Sequence, residues 1–79
     1  MEVLKTALLE MCRKRGDSSF CPSEVARQLY PEDWRNFMDE ILAEAMKLYR
    51  SGEIRITQSG KNIDPHQEVK GPIRISKPK

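Results

Sequence analysis

The chain has 79 residues, so we expect one small domain, 1–79, with a small hydrophobic core. Hydrophobic residues make up 38% and charged residues 33%, which is typical of a globular protein and excludes a disordered one. The formal net charge of +2 does not by itself indicate a nucleic-acid partner. The charge is unevenly distributed, because residues 51–79 contain six Lys or Arg and three Asp or Glu, whereas residues 1–50 contain eight and nine.

The cysteines, Cys12 and Cys21, lack C-x-x-C spacing, and the sequence has one histidine, so no metal site is expected. The N-terminus lacks a basic region followed by an apolar run, and no stretch approaches the length of a membrane span. We therefore expect a cytoplasmic protein with reduced thiols, no cofactor and no membrane partner.

The first predicted helix covers residues 2–15. Leu4, Leu8 and Met11 recur at helical spacing and form one apolar face. The basic run at residues 13–15 suits the negative end of the helix dipole, and Gly16 ends the helix. The dipole explains these cations without a ligand, although a phosphate contact stays open.

The second predicted helix covers residues 22–29. Pro22 suits the first helical position, and Glu24 three residues after Cys21 resembles a capping box with cysteine in place of serine. Pro31 disfavours helical geometry at Tyr30 and separates this helix from the next. Phe20 is expected to enter the core as a very short strand.

The third predicted helix covers residues 32–50 and has the longest apolar face. Trp34, Met38, Ile41, Ala45 and Leu48 recur along it at helical spacing. A short helix, a tight break and a longer helix are typical of a helix-turn-helix.

Two strands are predicted at residues 53–58 and 72–76, because apolar and polar residues alternate in both. They would pair antiparallel around a long polar loop at residues 59–71. The predicted fold is therefore α+β, a winged helix with a three-helix helix-turn-helix core followed by a two-stranded antiparallel β-hairpin wing. The rival is a three-helix bundle with a loosely attached hairpin.

Four segments carry a resemblance to a known family: CPSEVAR at 21–27, WR at 34–35, GEIRITQSGK at 52–61 and GPIR at 71–74. In these segments the chain resembles a family of small bacterial domains of unknown function. The resemblance covers nearly the whole chain and implies a winged-helix-like fold. It implies no activity and no catalytic or binding residues.

Arg35 and Asn36 are the first candidate site. In a helix-turn-helix, exposed residues at the start of the last helix reach base edges in the major groove. Arginine can pair with guanine there and asparagine with adenine. Acidic residues crowd the same region and oppose binding to phosphates: Glu32, Asp33, Asp39 and Glu40. A solvated helix face is an equally good interpretation.

The wing provides the second candidate site. Basic residues of the hairpin can bind phosphates if they cluster on one face. They are Lys61, Lys70, Arg74 and Lys77, together with Arg55. Alternatively, these lysines protect an exposed strand edge against pairing with another chain.

Trp34 and Cys21 complete the candidates. The helical spacing places Trp34 in the core, whereas an exposed Trp34 would indicate a protein contact. Cys21 at a helix N-terminus favours the thiolate, but no base is expected beside it. No paired acid and base residues and no phosphate loop occur in the sequence, so an enzyme is not expected.

The sequence therefore predicts a DNA-binding domain with a role in transcription, and double-stranded DNA as the partner. The alternative is a protein-interaction module that uses the acidic helix face to bind a basic partner. Redox sensing through Cys21 is the third hypothesis, and no small-molecule substrate is indicated.

Overall fold

The computed structural model describes residues 2–64, 66 and 71–78, which form an α+β fold. The helices are α1 (Glu2–Arg15), α2 (Pro22–Leu29), a short 3₁₀ helix (Trp34–Phe37) and α3 (Met38–Arg50). The strands are β1 (Arg55–Gln58), β2 (Lys61–Asn62) and β3 (Arg74–Ser76), and they form an antiparallel sheet in the order β2-β1-β3.

The first helix, α1, has the bounds that its sequence predicts. Leu4, Leu8 and Cys12 are buried, one turn apart, because residues four positions apart lie on the same side of an α-helix. Gly16 adopts φ 61° and its N–H donates to the carbonyl of Cys12 at 3.2 Å. This left-handed conformation suits glycine and ends the helix.

The second helix, α2, also has the predicted bounds, and its start is held by Glu24. The backbone N–H of Cys21 donates to Glu24 Oε2 at 2.8 Å, which is the carboxylate half of a capping box. The Arg15 guanidinium forms an ion pair with the same carboxylate, so Glu24 also ties the end of α1 to the start of α2. The buried face of α2 consists of Pro22, Val25 and Ala26.

The prediction of one α-helix over residues 32–50 is wrong in its first six residues. Residues 31–33 form turns, and the chain then forms the 3₁₀ helix before α3 begins at Met38. The N–H of Asn36 donates to the carbonyl of Asp33 at 2.9 Å, which is the i to i−3 bond of a 3₁₀ helix. In that geometry residues three apart lie on the same side, so Trp34 and Phe37 both face the body of the domain.

The sheet has three strands, so the predicted two-stranded hairpin is also wrong. The loop predicted at residues 59–71 contains β2, which pairs with β1 through Gln58 and Lys61. Ser59 and Gly60 form a two-residue connection with φ 53° and 81°. Positive φ at both central residues is the geometry that closes tight antiparallel hairpins.

Four isoleucines form the apolar face of the sheet, and each is at most 3% exposed: Ile54, Ile56, Ile73 and Ile75. They pack with the buried faces of the three α-helices in one core. Phe20 is fully buried in that core and forms an isolated antiparallel bridge with Ile75. The expectation that Phe20 acts as a very short strand is therefore confirmed.

The capping contact at Glu24 predicts a pH-dependent stability. The backbone N–H of Cys21, together with the Arg15 guanidinium, lowers the pKa of the Glu24 carboxyl below its ordinary value of 4.5. The contribution of this carboxylate is therefore present above the unfolded-state pKa and is lost as pH falls through the lower folded-state pKa. Glu24→Gln should lower the free energy of unfolding by about 1 kcal/mol at neutral pH.

Urea unfolding of both proteins between about pH 7 and about pH 3 checks this, and the difference should shrink toward the acid end. Glu32→Gln is the matched control, because Glu32 is exposed and lies outside the cap. A difference for Glu24→Gln that is constant with pH would contradict a role for the charge.

The hairpin turn predicts a backbone effect at Gly60. A Cβ at this position would meet nothing within 4 Å, so the cost of Gly60→Ala comes from its φ of 81° alone. We expect a loss of about 1 kcal/mol in the free energy of unfolding, and a smaller loss for Gly60→Asn, because asparagine tolerates positive φ. Urea unfolding at neutral pH measures both, and equal stability of all three proteins would rule out this turn geometry.

Candidate functional site

Trp34 forms the centre of a surface cluster with two arginines. The guanidinium carbons of Arg27, near the end of α2, and of Arg35, in the 3₁₀ helix, each lie 4.4 Å from the centroid of the Trp34 ring. At this distance a guanidinium is attracted by the ring quadrupole, which is worth about 0.5–1 kcal/mol at an exposed site. The three side chains form the Arg27–Trp34–Arg35 cluster, which holds two positive charges close together.

Two more aromatic rings stack between the end of α2 and the 3₁₀ helix, the two segments that carry this cluster. The rings of Tyr30 and Phe37 are stacked with centroids 3.8 Å apart and an interplanar angle of 13°. Tyr30 follows α2 and Phe37 ends the 3₁₀ helix, so the stack holds the two elements together across the Pro31 turn. Trp34 is half-buried and packs against the margin of the core. The prediction that Trp34 lies in the core is therefore only partly right, because the ring contacts the core but is not fully buried.

The two guanidinium groups of the cluster form no ion pair in the described part of the chain, in contrast to those of Arg13 and Arg15. Arg13 pairs with Glu10 at 2.7 Å, and Arg15 pairs with Glu24. Within residues 2–64, 66 and 71–78, neither Arg27 nor Arg35 forms an ion pair, and both are exposed. Their N–H donors are therefore available to an external anion.

The predicted site residues next to this cluster are exposed as well. Asn36 follows Arg35 in the 3₁₀ helix and presents its amide to solvent. The neighbouring acidic residues are also exposed: Glu32, Asp33, Asp39 and Glu40. The start of the third helical segment thus carries both signs of charge, as the sequence predicts. The Trp34 ring holds the two arginines close to each other in this mixed surface.

Two of the predicted wing residues contact the connector between α1 and α2. Arg74 on β3 donates from Nε to Ser19 Oγ at 3.0 Å and from a terminal nitrogen to the Ser19 carbonyl at 2.9 Å. Lys77 pairs with Asp17 at 3.2 Å. Both cations join β3 and the residues after it to this connector, a structural role that the sequence pattern did not reveal. Both remain exposed to solvent.

Lys61 lies apart from Arg74. In the sheet register, Lys61 is opposite Gln58 and Arg74 is opposite Thr57. Because successive residues of β1 point to opposite faces, Lys61 and Arg74 are on opposite faces of the sheet. The predicted clustering of the wing cations on one face is therefore wrong for this pair, and Lys70 lies outside the described residues.

The exposed side of α2 connects the Arg27–Trp34–Arg35 cluster with Arg74. Glu24 and Arg27 are three residues apart, so they are neighbours on the helix surface. The positive charges of Arg15 and Arg74 both help to lower the pKa of Glu24, after the main effect of the Cys21 N–H. Arg15 of α1 and Arg74 of β3 therefore lie near the start of α2, and the Arg27–Trp34–Arg35 cluster lies at its end. Arg27 was missed by the sequence reasoning, because no periodicity relates positions across the Pro31 turn.

The cysteines do not form a disulfide, and both are free. Cys12 is buried, and burial raises the pKa of its thiol, which disfavours the reactive thiolate. Cys21 is half-buried and its sulfur accepts a hydrogen bond from Ser23 Oγ at 3.2 Å.

The described part of the chain contains no group of three His, Cys, Asp or Glu side chains that could hold a metal ion. Among the described helices, none has the length and apolar character needed to cross a bilayer.

Comparisons with known proteins place the chain in a family but assign it no activity. A search of curated proteins found no match. A family model described as protein of unknown function DUF3253 matches residues 1–78. Because the match covers nearly the full length, the chain belongs to this family of proteins of unknown function.

Proposed function

We propose that this domain binds double-stranded DNA, and that the Arg27–Trp34–Arg35 cluster is the centre of the binding surface. The supporting observation is that these two exposed guanidinium groups are held against one ring without a carboxylate partner. A guanidinium held in place loses less conformational freedom when it binds a phosphate. Its planar donors also match phosphate oxygens in a bidentate geometry.

In this proposal the three helices and the sheet act as a winged helix. Arg35 and Asn36 approach base edges, and Arg27 contacts the phosphate backbone from the end of α2. Arg74 and Lys77 extend the phosphate contacts beyond the start of α2, whereas Lys61 lies on the opposite face of the sheet from Arg74 and is not part of this surface.

Neutralising the cluster should weaken binding to duplex DNA. We expect Arg27→Ala and Arg35→Ala each to lower the affinity about fivefold to tenfold at low salt, because each removes a phosphate or base contact. Arg13→Ala is the matched control, since it removes the same charge from α1, where Arg13 pairs with Glu10. Fluorescence anisotropy of a labelled mixed-sequence duplex measures the affinities. Equal effects of all three substitutions would show that only net charge matters.

Two further readouts belong to the same experiment. If the four cations Arg27, Arg35, Arg74 and Lys77 contact phosphates, log affinity should fall with log salt with a slope of about −3.6, and each arginine variant should reduce that slope by about 1. Trp34 is the only tryptophan, so its own fluorescence reports on the cluster directly. No binding at about 50 mM salt, or binding that leaves the Trp34 emission unchanged, would refute the proposal.

The alternative function is binding of a basic protein partner through the acidic residues at the start of α3. The observation that favours it is the exposure of four carboxylates around Arg35: Glu32, Asp33, Asp39 and Glu40. Such a surface attracts a basic partner and repels DNA.

Reversing two of these charges separates the two functions. Asp39→Lys combined with Glu40→Lys should strengthen binding to mixed-sequence duplex several-fold if this face lies toward DNA, because the change removes repulsion and adds attraction. The same variant should lose a basic protein partner if the alternative holds. Anisotropy titration at low salt measures the first effect, and an unchanged or weaker DNA affinity would contradict the DNA orientation.

A further inference from the structure

A polar recess lies on the sheet, on the face opposite the four isoleucines. It has a volume of about 600 Å³ and is lined by Asp17, Arg55, Ser76, Lys77 and Pro78. Arg55 on β1 and Ser76 on β3 are directly opposite each other in the register, so their side chains lie on the same face. The next pair in the register consists of two buried isoleucines, which places Arg55 and Ser76 on the face turned away from the core.

Arg55 is the arginine that solvent reaches least. It is half-buried, whereas the other six arginines of the chain are exposed. Its Nε donates to Ser76 Oγ at 3.3 Å, and within the described ranges Arg55 forms no ion pair. The N–H donors of its two terminal nitrogens therefore have no acceptor among the described residues. A half-buried charge without a counter-ion costs free energy, and an anion in the recess would offset that cost.

Ser76 and Lys77 supply further donors to the recess. Ser76 is 5% exposed, and its hydroxyl accepts from Arg55 while its own proton has no acceptor in the described part of the chain. The Lys77 ammonium pairs with Asp17 at 3.2 Å, but the side chain of Asp17 is 97% exposed. Because exposed ion pairs contribute little free energy, a bound anion can compete with Asp17 for Lys77.

The charge and size of the recess indicate the class of ligand. Two cations face one carboxylate, so the lining is net positive, and Arg74 adds positive charge two residues before Ser76 on the same face of β3. The planar donors of a guanidinium match the oxygen atoms of a phosphate group. The volume lies in the range of small-molecule sites and exceeds what a phosphate ion alone would fill.

We propose that this recess binds the phosphate group of a small phosphate monoester. The terminal nitrogens of Arg55 bind two phosphate oxygens, the Ser76 hydroxyl donates to one of them, and Lys77 neutralises the remaining charge. The ester substituent occupies the rest of the recess. This inference goes beyond the proposed function and does not depend on DNA binding, because it uses neither arginine of the Arg27–Trp34–Arg35 cluster.

Heteronuclear NMR of the isotopically labelled protein tests the site. Inorganic phosphate and methyl phosphate are titrated separately to about 20 mM at about pH 7, with sodium chloride holding the ionic strength constant. Both should cause saturable shifts at the amides of Arg55, Ser76 and Lys77. We expect a dissociation constant of about 1–10 mM, since a small anion contacts few donors. Methyl phosphate should bind with similar affinity, because the recess has room beyond the phosphate group.

Three substitutions locate the binding. Arg55→Gln should lower the affinity for methyl phosphate at least about tenfold, because it removes charge-assisted hydrogen bonds. Arg13→Gln is the matched control, since Arg13 is an exposed arginine on α1 outside the recess, and it should leave the affinity unchanged. Asp17→Asn should raise the affinity about threefold, because it removes both a repulsive charge and the competitor for Lys77. This exposed substitution decides the matter even if Arg55→Gln does not fold.

The phosphates of DNA have the same chemistry, so a short mixed-sequence duplex is titrated into the same protein. Shifts of the recess amides with the duplex but not with methyl phosphate would assign the recess to the DNA backbone and overturn the proposal. Equal effects of Arg55→Gln and Arg13→Gln, or an affinity that Asp17→Asn leaves unchanged, would also overturn it. Saturable methyl phosphate binding without any duplex binding would support this inference and refute the proposed DNA function alone.

Discussion

The bridge between Phe20 and Ile75 is the contact on which the rest of the structure depends. Phe20 donates to the Ile75 carbonyl at 2.8 Å, and Ile75 donates to the Phe20 carbonyl at 2.7 Å. Both side chains are fully buried, so this backbone pair joins the helical part of the chain to the sheet at the centre of the core. Loss of either partner would leave backbone polar groups unsatisfied in an apolar environment.

This bridge explains why the cations near the sheet have structural partners. The connector that contains Phe20 runs beside β3, so residues just before it come within reach of residues around Ile75. Arg74 and Lys77, which flank Ile75, bind Ser19 and Asp17, which both precede Phe20. Exposed contacts of this kind contribute little energy individually, and they lie beside the connector that leads into α2.

The position of α2 in turn determines the candidate site. Its start is held by Glu24 and its end by the Tyr30–Phe37 stack, so Arg27 is carried by an element fixed at both ends. Between α1 and the end of α2, an open groove is lined by residues that include Val3, Met11 and Leu29. One short helix therefore lies between the charged cluster and this groove.

The sequence by itself determined α1, α2, the apolar stripe of α3 and the α+β class, because these depend on local periodicity and on caps such as Pro22 and Gly16. It also contained a signal for β2, since Ser59-Gly60 between two short polar runs is a hairpin turn that the long-loop interpretation overlooked. Tertiary structure alone decided the 3₁₀ start of the third helical segment, because the apolar spacing from Trp34 onward fits either helix type. It also decided that Arg27 lies beside Trp34 and that Arg74 lies beside Ser19. Such contacts join residues far apart along the chain, and packing around Phe20 brings them together where no local pattern can predict it.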